Sequence, residues 1–383
     1  MRNAVAPVAP PASCRAILKV GVRGGLNNQK ECLINAGIVA HALNITLAVP
    51  HLDVVGHGNE KFEPANANYV KPYADRSRRG HFGHFYNTSW FLENLRSDMS
   101  LITRVKLIFG SGRPPNMVQL PSVANVSNGC EGFTRWQDTC EATDWDKRLL
   151  DILLDRWRSF IGGRCRRNGG GGPILFDAGR SLCWNVYKSR HATSCVKHYP
   201  FCGRMLRALR WNSVISRLQQ RVLLGIARMR ANASGVRREA AAVDDRAGWS
   251  ASGWVGVHVR AFVCARNKRQ PTFDHVVSAL SKLGVVRGLL YVVSSVPVAQ
   301  VQAALPQFTV IAKSSFLGDD VRLMYPFEVL AAIDYGVAVA APLYLGEPMM
   351  SSFDAFAEED RLQQNRTTGT IPGACGAGAG PGA

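Results

Sequence analysis

Residues 16–50 read AILKVGVRGGLNNQKECLINAGIVAHALNITLAVP. The apolar run from Ala16 predicts a short strand, and RGGLNNQ a glycine turn. From about Asn28, Cys32, Ile34, Ile38, Val39 and Leu43 recur at helical spacing, and ITLAVP follows as a second strand. Strand, turn, helix and strand make a βαβ unit, so a parallel sheet opens the chain.

Working outward, the stretch from His51 to Gly132 has few periodic runs apart from a helix in SWFLENLRSDM. The middle predicts a helix in DKRLLDILLDRWRSFIG, a glycine break in RCRRNGGGGP, a strand in PILFDAG and one long helix in GRMLRALRWNSVISRLQQRVLLGIARMRA. A polar, alanine-rich segment follows and reads as a linker over 231–251. Beyond it, strands in WVGVHVRAF, GLLYVVSSV, FTVIA and VAVAAPLY alternate with helices in DHVVSALSKLG, PVAQVQAALP, DDVRLMYPFEVLAAIDYG and SSFDAFAEEDRLQ. This is a doubly wound α/β pattern. The expected organisation is a flexible leader over 1–15, a Rossmann-like domain with irregular basic insertions over 16–230, the linker, a second Rossmann-like domain over 252–371 and a Gly/Ala tail over 372–383.

Composition narrows the class. With 46% hydrophobic and 19% charged residues, most of the chain is not disordered, and no run of 18 apolar residues exists to span a bilayer. The first sixteen residues lack the contiguous apolar core of a secretory signal. The net charge is +18. Counting Asp146 to Gln270 gives 25 basic and 7 acidic residues, so the whole excess sits in the middle third. A basic block with Trp157, Tyr187 and Trp211 among its arginines admits a nucleic-acid reading, but no DNA or RNA motif accompanies it, and the expectation is no nucleic-acid partner. Ten cysteines include no CxxC pair, which argues against a structural zinc site. They leave two readings open: disulfides of an oxidising compartment, or buried thiols. Sequons at Asn44, Asn87, Asn125, Asn232 and Asn365 lean toward the first.

Ligands of such sheets bind beyond the carboxyl ends of the strands, and three loops fall there. Gly24 and Gly25 let the backbone approach a ligand closely, while Asn27, Asn28 and Gln29 add amides at a helix start whose free N–H groups suit an anion. A tight turn with an Asn cap is the alternative. His258 and Arg260 end WVGVHVRAF on one face of the strand. Arg260 at the strand exit suits a diphosphate, since its fork donates two parallel bonds; a salt bridge to a neighbouring carboxylate is the rival. In GEPMMSSF, Ser351 or Ser352 occupies a helix N-cap, with hydroxyls and free N–H groups able to hold a phosphate. Glu328 and Asp334, one helix upstream, can accept hydrogen bonds from a nucleobase or ribose. Asp53 is a candidate general base by position, or a structural cap.

GGLNNQKECLINAGIVAHALNITLAVPHLD, GVHVRAF and IDYGVAVAAPLYLGEPMMSSFDAFAEEDR, in that order, resemble three motifs of the GDP-fucose protein O-fucosyltransferase family, the first in its plant and algal branch. The resemblance covers roughly 16–55 and 252–366. It implies a GT-B fold of two Rossmann-like domains facing across a cleft, with the acceptor side in the first and the nucleotide sugar in the second. It also implies inverting transfer of fucose from GDP-fucose to a protein or glycan hydroxyl, no metal, no cofactor beyond the donor, and work in the lumen of the ER or Golgi. Carried over by motif, Arg260 binds the diphosphate and Asn28 lies near the transferred sugar, with Gly24, Gly25 and Asn27 along that wall. His258 and Asp334 then contact the nucleotide, and Ser351, Ser352 and Phe353 the phosphates and sugar. Gly25 departs from the arginine of many animal members. Part of the plant branch is likened to rhamnosyltransferases, which leaves a nucleotide-sugar transferase of another donor, or an inactive binding homologue, as alternatives.

Overall fold

Two five-stranded parallel sheets carry the molecule, each belonging to one of two compact units that part between Asn212 and Ser213. This computed structural model describes residues 14–22, 24–53, 79–102, 117–121, 147–169, 172–179, 199–237, 253–259, 273–294, 296–346 and 351–371.

In the first unit, β1 (Ala16–Lys19) leads through the glycine turn into α1 (Leu26–Leu43), and β2 (Thr46–Ala48) returns parallel to β1. Short strands β3 (Leu52–Asp53) and β4 (Arg79–Gly80) pair antiparallel beside the sheet. Then come α2 (Thr88–Leu95), β5 (Leu101–Ile102), β6 (Met117–Gln119), α3 (Lys147–Arg167), β7 (Ile174–Asp177) and α4 (Phe201–Ala208). The sheet order is β5-β2-β1-β7-β6, which puts β1 at the centre, where the order reverses. Helix α1 is buried from Leu26 to Ala40 without a break, including Lys30, Glu31 and Asn35. The stripe read from its apolar residues therefore understates how deeply it is enclosed.

In the second unit, α5 (Ser213–Arg237) precedes β8 (Trp254–Val259), α6 (Phe273–Lys282), β9 (Gly288–Ser294), α7 (Val298–Ala304) and β10 (Phe308–Ile311). The chain continues through α8 (Asp319–Met324), α9 (Phe327–Ala340), β11 (Leu343–Gly346), α10 (Ser352–Leu362) and β12 (Thr367–Thr370). The order β10-β9-β8-β11-β12 is that of a doubly wound nucleotide-binding sheet, with its reversal between β8 and β11. Val257, Leu290, Val301, Leu305, Leu343 and Leu345 are fully buried in its core.

Four expectations are corrected. The single long helix after Gly203 is two helices, because the residues between them are held elsewhere. The Asn212 N–H donates to Phe85 O at 2.8 Å, the Asn87 N–H donates to Arg210 O at 2.8 Å, and Trp211 stacks on Tyr86 at 5.0 Å. The division of units falls there too, and α5 counts with the second unit, packed on α9. Helix α5 runs to Arg237, so 231–237 is helix rather than linker; 238–251 lies outside the described residues. DDVRLMYPFEVLAAIDYG also splits: Pro326 disfavours helical backbone at Tyr325, which is extended at φ −121° and ψ 137°. Finally, Val337 to Ala340 continue α9 instead of starting a strand, β11 begins after Pro342, and β12 adds a fifth strand in TTGT.

The four cysteines among the described residues are oxidised. Cys14 and Cys165 form a disulfide, and Cys32 and Cys202 are also disulfide-bonded. Closing a span of 151 residues restricts the unfolded chain by about 5 kcal/mol in the chain-entropy account.

Candidate functional site

The carboxyl ends of the two central strands carry most of the residues singled out above, and each end is built differently. In the second unit, Ser351 caps α10: its hydroxyl accepts the Asp354 N–H at 3.4 Å. The S-x-x-D spacing suggests a reciprocal capping box, but the Asp354 carboxylate turns away from the cap. It lies 2.9 Å from Nδ1 of His258 through both oxygens and accepts the Tyr344 hydroxyl. Asp354 is buried and His258 nearly so, at side-chain exposures of 1% and 11%. Asp354 thus ties together the end of β8, strand β11 and the start of α10. Gly346 is what admits it, because a Cβ there would stand 2.5 Å from Asp354 Oδ1.

That contact assigns the imidazole its role. A buried carboxylate at Nδ1 keeps the proton on that nitrogen and leaves Nε2 facing away from it. The ring lies against Phe353 at 4.8 Å, and Phe353 meets Tyr335 edge-on at 5.4 Å. His258, Ser351, Ser352 and Phe353 are therefore brought together where the strand order reverses. Burial, then the charge of Asp354, push the Tyr344 phenol well above its usual 10, so it stays a hydrogen-bond donor at any physiological pH.

Asp334 belongs to a second, more enclosed cluster. Its two oxygens accept the Tyr291 hydroxyl at 2.7 Å and the Lys313 ammonium, so the carboxylate is engaged inside the protein. Glu328 is buried in the first turn of α9. Arg260 lies outside the described residues.

In the first unit, Gly24 has φ +81°, and a Cβ on it would meet Asn28 Nδ2 at 2.7 Å. Gly25 is the N-cap of α1 and offers no side chain. The turn is instead held by Gln29, which donates from Nε2 to Gly24 O and Asp53 O at 2.9 Å and accepts the Asp53 N–H at 2.6 Å. Gln29, read as a ligand amide, is thus the clamp joining the turn to β3. Asn27 and Asn28 are buried beside it, and Asn27 Oδ1 has no hydrogen-bond partner among the described residues.

Sequence reasoning missed Asp354, Tyr344, Lys313 and Arg361. Arg361 is fully buried and donates to the carbonyls of Ala338, Val339, Ala341 and Pro342 and to Thr368 Oγ1, holding the C-terminal end of α9 against β12. Burial, then Arg366, lower it to about 10, which leaves it charged near neutrality. A cation among the last carbonyls of a helix complements the negative end of the macrodipole.

The family model for GDP-fucose protein O-fucosyltransferase matches residues 18–363. O-fucosyltransferase 29 of Arabidopsis thaliana is 27% identical over 168 residues, which is 42% of this chain and 27% of the relative. O-fucosyltransferase 16 of the same plant is 28% identical over 154 residues, 39% of this chain and 23% of the relative. The match thus spans about a quarter of the length of these curated relatives. Among solved structures, POFUT1 in complex with GDP-fucose aligns at 12% identity and TM-score 0.48, over 95% of this chain and 99% of that one. The fucosyltransferase NodZ from Bradyrhizobium aligns at 14% identity and TM-score 0.43, over 90% and 91%.

Proposed function

Because the chain belongs to the GDP-fucose protein O-fucosyltransferase family, we propose that it transfers fucose from GDP-fucose, with inversion and without a metal, to a hydroxyl of a protein or glycan acceptor in the secretory lumen. The observation that carries this reading is the cluster at the reversal of the second sheet: His258 oriented by Asp354, beside Ser351 at the capped start of α10. Such a place combines hydrogen-bond donors, a helix N-terminus and an aromatic face, which together suit a nucleoside diphosphate attached to a sugar.

The chemistry asks for charge stabilisation on one side and positioning on the other. As the bond from fucose C1 to the diphosphate oxygen breaks, the electron pair stays on phosphate. Arg260, two residues past His258 in the sequence, and the free N–H groups of α10 meet that charge. In this reading His258 and Phe353 contact the nucleotide, and Asn28 and the glycine-shaped turn before α1 serve the transferred sugar. The acceptor oxygen attacks C1 from the opposite face and loses its proton, for which Asp53 is the carboxylate at the end of β3. The disulfides at Cys14, Cys32, Cys165 and Cys202 support an oxidising compartment.

Thermal denaturation with added nucleotides tests the donor. GDP and GDP-fucose raise Tm, while UDP and UDP-rhamnose leave it unchanged; the reverse pattern overturns the donor assignment. Transfer that dies in EDTA and returns with manganese would overturn metal independence. It would direct attention to Asp144-Trp145-Asp146, an Asp-x-Asp triplet outside the described residues.

A further inference from the structure

Helix α5 has two sides of opposite chemistry. Ile215, Val222 and Ile226 are buried, Gln219 donates from Nε2 to Ala332 O in α9 at 2.7 Å, and a Cβ on Gly225 would stand 2.2 Å from the Phe316 ring. These positions form the inward side. Arg217, Arg221, Leu224 and Arg228 follow one another at i, i+4, i+7 and i+11, a single stripe on the far side that rises about 16 Å along the helix. All three arginines are exposed, and Leu224 among them is 51% exposed.

The chain supplies no counter-charge for this stripe. Among the described residues no carboxylate lies within ion-pair distance of Arg217, Arg221 or Arg228. Between Asp177 and Glu239 the sequence holds 13 lysines and arginines and no acid, so no near neighbour along the chain can provide one. Like charges one turn apart, as in Arg217 and Arg221, work against the helix that carries them. Every basic residue of α5 is arginine, whose planar fork takes a carboxylate through two parallel bonds.

The make-up of the stripe narrows what fits it. A single-stranded nucleic acid asks for aromatic rings on which its bases stack, and α5 has none. A bilayer takes up a helix by its apolar side, and that side of α5 is already packed on α9. An anionic polysaccharide brings carboxylates but no apolar group to cover Leu224. A polypeptide brings both.

We propose that this face of α5 docks an acidic helical segment of a partner protein, with carboxylates opposite Arg217, Arg221 and Arg228 and an apolar side chain on Leu224. Packed antiparallel, such a segment carries Asp or Glu at i, i+7 and i+11 and Leu, Ile or Val at i+4, the mirror of the stripe. The inference is independent of the transfer reaction, since it concerns binding without turnover.

The test uses the full chain and a fluorescent, alanine-based helical peptide with that spacing, read by anisotropy at physiological salt. The comparison ligands are the same peptide composition in scrambled order, oligogalacturonate, and phosphatidylserine vesicles. The spaced peptide is expected to bind more tightly than all three. Arg221→Glu should weaken it about 10-fold, and a peptide with arginine at the facing position, i+7, should recover most of that loss, which a folding defect would not allow. Leu224→Ser should weaken the peptide and leave oligogalacturonate unaffected. Equal affinity for spaced and scrambled peptides overturns the proposal. Tighter binding of the oligogalacturonate or the vesicles, with Leu224→Ser without effect on the peptide, overturns it as well and gives the stripe to another polyanion.

Discussion

The helix starts after β1 and after β11 each follow a strand that flanks the reversal of its sheet, and they are made of different material. The start of α10 is a network of side chains, with Ser351 capping, Asp354 binding His258 and Tyr344, and Phe353 stacked on the imidazole. The start of α1 is a shape in the backbone, with Gly24 left-handed, Gly25 a cap without a side chain, and Gln29 bonded to main-chain groups. One end is built from charge and hydrogen bonds; the other can only fit or fail to fit. The two should therefore break under different substitutions, the first when a charge is removed at constant shape and the second when a single methyl is added.

The largest effect belongs to the cationic side. Arg260→Ala should lower kcat about 100-fold to 1000-fold with Tm nearly unchanged, as for loss of one preorganised donor to a developing anion. Full turnover in that variant ends its role as the diphosphate clamp. Next, Asp354→Asn keeps the shape of the network and removes its charge. We expect activity to fall about 10-fold to 100-fold, in the range seen when the carboxylate behind a functional histidine is lost.

Gly24→Ala tests the opposite end. The left-handed φ costs an alanine about 1–2 kcal/mol, and its methyl would also press on Asn28, so Tm and acceptor KM should both worsen. Donor binding, measured as stabilisation by GDP, should be retained. If GDP binding is lost as well, the division of labour between the two ends is wrong.

The smallest effect lies away from both ends. His41 stacks on Phe201 at 4.0 Å and lies 2.5 Å from the Tyr199 hydroxyl through Nδ1. Burial, partly offset by Asp98 and joined by Arg204, holds it below 6.5, while burial lifts Tyr199 to about 12. The unfolded chain therefore takes up the proton first as pH falls. Stability should hold above pH 6.5 and drop below it, and His41→Phe should flatten that part of a Tm-against-pH curve.

How much of this could be read beforehand follows the locality of the cause. Strands at Ala16, Ile174, Trp254, Gly288 and Phe308, and the cap at Ser351, depend on pattern or spacing within a few residues, and were legible. The break at Leu209–Asn212 was not, because its partners, Phe85 to Asn87, lie more than a hundred residues away. Pro326 was a visible signal given too little weight. Val337 and Val339 favour a strand in isolation, yet packing keeps them in α9. His258, Ser351 and Phe353, taken from separate motifs, lie together in the structure, but spacing cannot say where a carboxylate will point. Nothing local to Asp354 announces its contact with His258, and Asp334, expected to contact the nucleotide, is engaged by Tyr291 and Lys313.

The bond between Cys14 and Cys165 also makes the first unit tolerant of cutting. Any single cleavage between Lys19 and Cys165 leaves two fragments that travel together until a reductant is added, with β1 on one and β7 on the other. A nicked protein would thus look whole on a non-reducing gel, and its loss of function on reduction would report the bond rather than the cut.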